Sequence, residues 1–305
     1  MGRSCHAASR SGGRVRDTTR KRLSRPLGPG PVPLIYLSIC PVAAKQSIYR
    51  TRTNYPTISA PRMIGRLLVR RRCLCSSNSS VPRRIYESDE LLVRSLAVTP
   101  FQMNQYLLGC KQSGEAALID TGDSIPQRWI DAASEDGLTI RHILLTHAHV
   151  DHVAGLAETK ALLPDAPSHL HPADGWTLLS APAQGMMFGL SCPTLPAADV
   201  DLQDEAELCI GSLRLRVMHT PGHAPGHVVF HLPKHDLLFS GDLLFRRSIG
   251  RTDFPGCDPA KMEASLRRVL ELPGCTRVFP GHMEQTTIEA EAQSNPFLQG
   301  LHWLP

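Results

Sequence analysis

The chain has 305 residues, with 33 Lys and Arg, 28 Asp and Glu and 14 His, for a formal net charge of +5 at pH 7. That figure averages a basic segment, residues 1–85 at net +17, and an acidic remainder, residues 86–305 at net −12. The acidic remainder disfavours binding to a phosphate backbone, and nine scattered cysteines do not suggest a disulfide framework, so all are read as reduced thiols.

Residues 1–84 read as an organellar transit extension: Arg-rich, Ser-rich and almost free of acids, Asp17 being the exception. The apolar run from Val32 to Ala44 is interrupted by Pro33 and Pro41 and is too short to cross a bilayer. The arginine bias favours a mitochondrial address, and the Ser-rich length allows a plastid. Met63 opens "MIGRLLVRRRCLCSSNSSVPRR", which by itself resembles a complete presequence and makes Met63 a second candidate start. The alternative, a disordered basic tail for nucleic acid, lacks an aromatic-interleaved basic patch in the region that follows.

A single folded domain is expected over residues 85–305. Its first strands are "LLVRSLAV" (91–98), "NQYLLGC" (104–110) and "AALID" (116–120), each ended by a Gly, Pro or Asp turn signal. "PQRWIDAASEDG" carries helical spacing with Gly137 past its end, and "IRHILLT" (140–146) has the continuous apolar pattern of a strand buried on both faces. "HVAGLAETKALLP" reads as one helix, and the region from Asp174 to Asp204 as a further helix with a Pro/Gly-rich loop. Strands resume with "SLRLRVMHT" (212–220), "HVVFHLP" (227–233) and "DLLFSGD" (236–242). A helix over "PAKMEASLRRVLEL" then leads to a short strand, "RVFPGH". Strands alternating with helices place the chain in the α/β class, with two sheets and helices outside.

The chemistry concentrates in "THAHVDH", where His147, His149, Asp151 and His152 follow a buried strand and precede a helix. On an extended segment His147 and His149 project to one side, so both imidazoles can grip one ion, while Asp151 and His152 turn toward a second position. His223 in "HTPGHAPGH", Asp242 in "FSGD" and His282 in "FPGH" also follow strands. Five histidines and two carboxylates without a thiolate suit zinc, iron or manganese. Seven such residues, all at strand ends, point to metal binding; a lone loop histidine would be read as solvated. Asp120 in "LIDTG" is either a residue that orients a ligand histidine or a strand-end turn carboxylate. His219 and His227 are read as core or hydrogen-bonding residues.

These motifs resemble those of the metallo-β-lactamase superfamily in order and spacing, over nearly all of residues 86–305. The resemblance implies an αββα sandwich with the site along one edge. It assigns His147, His149 and His223 to a first metal and Asp151, His152 and His282 to a second, with Asp242 bridging. Two divalent ions are thereby implied, zinc first, with iron or manganese as alternatives, and a shared water acidified toward neutrality would be the nucleophile; Asp151 and Asp242 are the catalytic carboxylates.

Within the superfamily the nearest likeness is to glyoxalase II, the hydroxyacylglutathione hydrolases, and to their short bacterial-type members. It is carried by "FQMNQYLL", "MMFGLSC", "GHVVF", "SIGRTDFPG" and "NPFLQ". The implied reaction is hydrolysis of a small thioester derived from glutathione, S-lactoylglutathione giving glutathione and D-lactate. No nucleic acid or membrane partner is implied. The chain departs from the long glyoxalase II enzymes in two ways. Only a short tail follows His282, and Arg251 and Asp253 occupy the positions of a Lys-x-Tyr pair. Arg251 either meets a substrate carboxylate or pairs with Asp253 to fix the loop. The main rival is a mononuclear iron persulfide dioxygenase of the same superfamily, which would use only His147, His223 and Asp242. A nuclease and a non-catalytic metal-binding module are weaker readings.

Overall fold

The computed structural model describes residues 81–122 and 125–299. Most of the extension over 1–84, Met63 included, therefore lies outside the described residues. The first described strand begins at Arg83, next to the expected start of the folded domain.

Four antiparallel strands open the fold: β1 (Arg83–Glu87), β2 (Leu91–Val98), β3 (Met103–Cys110) and β4 (Glu115–Ile119). Helix α1 (Pro126–Glu135) then crosses to β5 (Thr139–Leu144), which lies parallel to β4. Two short helices follow, α2 (Val150–Val153) and α3 (Leu156–Leu162), and then β6 (Ser168–Leu170), α4 (Gly175–Phe188) and β7 (Val200–Asp201). These strands form one seven-stranded mixed sheet in the order β1 to β7.

The second sheet starts with β8 (Glu207–Ile210), β9 (Leu213–His219), β10 (Val228–Leu232) and β11 (Leu237–Gly241), all antiparallel. A small hairpin of β12 (Leu244–Phe245) and β13 (Ser248–Ile249) precedes α5 (Pro259–Leu270). Strands β14 (Arg277–Pro280) and β15 (Thr286–Thr287) complete a six-stranded sheet in the order β15-β14-β11-β10-β9-β8, and α6 (Ile288–Ser294) and α7 (Pro296–Gln299) end the described chain.

Strand alternation explains why two sheets can stack with helices outside. In β2, Leu91 and Val93 enter the layer between the sheets, where they join Tyr106, Phe230, Phe239 and Phe279. Leu92 points the other way, into a cluster with Leu107 and Leu118 under Trp129 and Ala133 of α1. On the second sheet Val229 and Leu238 face outward and pack with Met262, Leu266 and Val269 of α5. Central strands with both faces covered read as near-continuous apolar runs, and each large side chain so buried contributes about 1.5–3 kcal/mol. The αββα sandwich implied by the sequence motifs is the observed architecture.

The single helix expected over "HVAGLAETKALLP" is two helices. The Gly155 amide donates to Thr121 O at 2.7 Å instead of to the preceding helical turn, so the ladder breaks between α2 and α3 and the chain re-aims after the histidine cluster. The expected strand "IRHILLT" is buried on both faces only in its second half; Arg141 is exposed and His142 half-buried. The five cysteines among the described residues are all free thiols.

Candidate metal centre

Each of the seven candidate ligands sits just past a strand end, and the sandwich brings those ends to one edge. His147 and His149 follow β5, while Asp151 and His152 lie in α2. His223 follows β9, Asp242 follows β11 and His282 follows β14.

The side chains converge on one space. His149 Nδ1 lies 2.8 Å from His223 Nε2, and His223 Nε2 lies 3.5 Å from Asp242 Oδ2. On the other side Asp242 Oδ1 is 3.3 Å from His152 Nε2 and Asp242 Oδ2 is 3.5 Å from His282 Nε2. His282 Nε2 is in turn 3.3 Å from Asp151 Oδ2. Three overlapping triads result: His147, His149 and His223; His147, His152 and Asp242; Asp151, His152 and His282. In each, the ligand-type atoms lie within 4.8 Å of one another. Asp242 thus stands where the histidine-rich side meets the Asp151–His282 side.

The outer ring nitrogens explain why the inner ones face this space. Asp120 accepts from Thr146 N at 2.8 Å, from the Thr146 hydroxyl, and from His152 Nδ1 at 2.9 Å. With its proton committed to Asp120, the Thr146 oxygen accepts from His147 Nδ1 at 3.1 Å. One buried carboxylate therefore orients two imidazoles, and its strand-end position at the close of β4 serves that contact. His223 Nδ1 donates to Arg251 O at 2.8 Å and His282 Nδ1 to Phe101 O at 3.0 Å. His147, His152, His223 and His282 thus present Nε2, and His149 presents Nδ1. Hydrogen bonds of this kind fix tautomer and ring orientation in imidazole sites.

Electrostatics match a cation requirement. Burial holds His147 well below the usual imidazole range and lowers His149 to about 3, so both are neutral donors at pH 7. Burial would lower His152 and His282 too. The carboxylates of Asp242, Asp120 and Asp151 reverse this for His152, and those of Asp242 and Asp151 raise His282 to about 10. Burial likewise opposes ionisation of Asp242, but His152 and His282 keep its carboxyl well below the usual range. Three buried atoms facing the space, His147 Nε2, His152 Nε2 and Asp242 Oδ1, have no hydrogen-bond partner; the last two meet only as an ion pair. Such atoms cost about 1–3 kcal/mol each when unsatisfied, and bound cations would satisfy all three. The residues present fit divalent metal: imidazole and carboxylate, with no thiolate among them. The Cys257 thiol donates to the His223 carbonyl and belongs to none of the three triads.

The structure gives specific positioning roles to residues to which the sequence assigns none, and to His227, which the sequence marks as a core or hydrogen-bonding residue and which is one. Asp174, at the N-terminus of α4 and fully buried, accepts from Ala148 N at 2.9 Å and Gly226 N at 2.6 Å, tying the His147–His149 segment to the loop after His223. His227, also buried, accepts from Asp242 N at 3.0 Å and donates to the Thr220 hydroxyl, so it holds the backbone of Asp242. Asn104 Nδ2 bonds to Pro280 O and Met283 O, and the Tyr106 hydroxyl donates to Pro280 O at 2.7 Å. Strand β3 thereby pins the loop that carries His282. Gly281 in that loop lies so near Asp242 that a Cβ would fall 2.2 Å from Asp242 Oδ1. His219 stacks on His171 with centroids 3.9 Å apart and stays out of the centre.

Arg251 is held by Asp253 through two bonds, Nε to Oδ1 at 2.7 Å and Nη2 to Oδ2 at 2.8 Å. Its guanidinium also lies over the Phe254 ring, 3.8 Å from the centroid. In this arrangement Arg251 braces the loop whose carbonyl holds His223.

Comparison with known proteins agrees with this architecture. Residues 98–282 match the family model described as the metallo-beta-lactamase superfamily. The hydroxyacylglutathione hydrolase GloC of Haemophilus influenzae is 34% identical over 68% of this chain and 97% of its own length. The mitochondrial persulfide dioxygenase ETHE1 of Bos taurus is 33% identical over 63% of this chain and 70% of its length. Among solved structures, TTHA1623 in a di-iron-bound form is 42% identical with a TM-score of 0.62, covering 67% of this chain and 99% of that one.

Proposed function

The chain belongs to the metallo-β-lactamase superfamily, and from that premise we propose that it is a binuclear metal-dependent hydrolase of thioesters, with hydroxyacylglutathione thioesters such as S-lactoylglutathione as substrates. The observation that carries this reading is the triad of Asp151, His152 and His282. A one-metal enzyme needs only His147, His223 and Asp242, whereas Asp151, His152 and His282 meet around the far side of the same Asp242.

His147, His149 and His223 would hold one ion and Asp151, His152 and His282 the other, with Asp242 reaching both. Bound there, two divalent ions, zinc first with iron or manganese as alternatives, supply Lewis acidity toward the acyl oxygen and an acidified water as nucleophile. The chain's own residues do the rest. Asp120 and Thr146 keep the imidazoles aimed, His227 holds Asp242, and burial of His147 and His152 keeps bulk water from the inner face. Asp151 and His282, like His149, are only partly buried, whereas the other ligands are buried. They border the side from which a thioester would approach; there the water's oxygen bonds to the acyl carbon, the acyl carbon–sulfur bond breaks, and the water's proton passes to the departing thiolate so that a free thiol leaves, while Asp151 would serve as a ligand of the second ion. The name and likeness of the Haemophilus enzyme support a glutathione thioester.

The likeness to ETHE1 favours a second reading, a mononuclear iron persulfide dioxygenase. A non-catalytic metal-binding module is disfavoured because all seven ligand positions are intact. Metal analysis of the full chain, with S-lactoylglutathione hydrolysis and O₂ uptake on glutathione persulfide measured on the same preparation, separates these readings. Two ions per chain with hydrolysis is expected; one iron with O₂ uptake and untouched thioesters would overturn the proposal. Residues 1–84 are proposed to direct the protein to a mitochondrion or plastid, and a reporter fused to them that stays in the cytosol would remove that reading.

A further inference from the structure

A row of aromatic rings leads outward from the metal centre. The Phe254 ring lies 5.9 Å from that of His149, edge to face, and Phe188 lies 5.9 Å from Phe254. Phe101 follows at 6.0 Å from Phe188, with rings at 88°. The row ends where it began, at the centre, because the carbonyl of Phe101 holds His282 Nδ1. Phe101 and Phe188 remain 44% and 42% exposed. A single exposed phenylalanine is ordinary. Three in edge-to-face contact, arching from one site histidine to the residue that holds another, form an apolar wall over a reactive centre.

The backbone holds this wall in place. Phe188 is the last residue of α4, and near that end Gln184 Oε1 accepts from Val150 N at 3.2 Å, beside His149. Phe254 stands in the loop whose Arg251 carbonyl holds His223, and Arg251 covers its outer face. The charge on that guanidinium is matched by both oxygens of Asp253. The wall is therefore apolar and presents no unmatched charge to a ligand at the centre.

We infer that Phe101, Phe188 and Phe254 form the acyl-side specificity wall, and that the thioester this site takes best carries a bulky apolar acyl group, aryl or branched, in place of the methyl-sized group of a lactoyl ester. The inference rests on the thioester reading above. Burying the extra apolar group against partly exposed rings is expected to be worth about tenfold in kcat/KM.

The test uses the full chain loaded with metal and two hydroxyacyl thioesters that share their chemistry, S-mandeloylglutathione and S-lactoylglutathione. The mandeloyl ester is expected to be favoured about tenfold, and Phe188→Ala, at an exposed position where folding is not at stake, is expected to bring the ratio below about threefold. Phe254→Leu should lower it to a lesser degree. Binding of two unreactive thioethers, S-benzylglutathione and S-methylglutathione, is measured beside it by calorimetry, with the benzyl compound expected to bind tighter in the wild type and the difference to shrink in Phe188→Ala. Equal hydrolysis of both thioesters with equal binding of both thioethers overturns the wall and leaves the hydrolase intact. Tighter benzyl binding with no hydrolysis of either ester keeps the wall and overturns the thioesterase reading.

Discussion

Asp174 and Gly226 stand fifty-two residues apart, yet the Asp174 carboxylate accepts the Gly226 amide at 2.6 Å while its other oxygen takes the Ala148 amide at 2.9 Å. One side chain from the start of α4 therefore clamps the two loops that supply His147, His149 and His223. The approach is so close that a Cβ on Gly226 would lie 2.8 Å from the Asp174 Cβ.

Replacing Asp174 tests that clamp. Asp174→Asn can satisfy one of the two amides but turns an NH₂ donor toward the other, and a loss of about 2–4 kcal/mol of stability is expected. The metal content of the variant should fall with it. Urea denaturation and metal analysis check both; an unchanged midpoint with full metal occupancy would show that the loops hold themselves.

Asp120 acts on two imidazoles at once, on His152 directly and on His147 through Thr146. Asp120→Asn is expected to weaken metal affinity about 10- to 100-fold, the usual cost of losing an orienting carboxylate, with the αββα fold retained. Competitive titration against a chromophoric chelator measures this directly. A far smaller change would return Asp120 to the role of a turn residue.

Asp151 distinguishes two ions from one. Asp151→Ala removes the carboxylate that meets His282 at 3.3 Å and leaves the triad of His147, His149 and His223 complete. The expected result is loss of one of two bound ions and a fall of about 100-fold or more in thioester hydrolysis. Full activity in this variant would sink the two-metal mechanism.

A remote ion pair sets part of the acid stability. Asp136, at the end of α1, receives Arg94 Nε at 2.6 Å and Nη2 at 2.9 Å, and its side chain is 2% exposed. Arg94, with Arg84 adding to it, holds the Asp136 carboxyl below its usual value against the opposing effect of burial. A depressed carboxyl stabilises the fold above its unfolded pKa of about 3.9, and that contribution is lost as pH falls below it toward the folded value. Asp136→Asn is therefore expected to cost about 2–3 kcal/mol at pH 7, with the gap to wild type closing as pH drops below about 4. Denaturant midpoints across that range test it; a gap that persists unchanged at low pH would remove the pair as its source.

The residue types of the centre are written in local sequence, since "THAHVDH", "PGH" and "SGD" each join a metal-binding side chain to the end of an apolar run that has to become a strand. Alternation within β2, β10 and β11 likewise contains the two-sheet sandwich, because runs such as "LLV", "VVF" and "LLF" demand apolar partners on both faces. What the linear order does not hold is the pairing of loops. His227 reads in the sequence as a core or hydrogen-bonding residue, but the particular roles of Asp174, His227, Asn104 and Tyr106 are not local, because their partners, Gly226, Asp242 and Pro280, come close only once strand ends from both sheets share one edge. The break between α2 and α3 is of the same kind, a helical amide diverted to Thr121 on another strand's end. The row from His149 to Phe101 belongs to tertiary structure too, since each of its ring contacts joins residues more than sixty positions apart, with Phe188 at the end of α4 meeting Phe101 from before that helix and Phe254 from after it. Sequence determined which atoms could bind a metal, because that is a property of side-chain chemistry and local spacing. Folding decided how those atoms are aimed and what stands over them, because aim and enclosure come from hydrogen bonds and packing between residues distant along the chain.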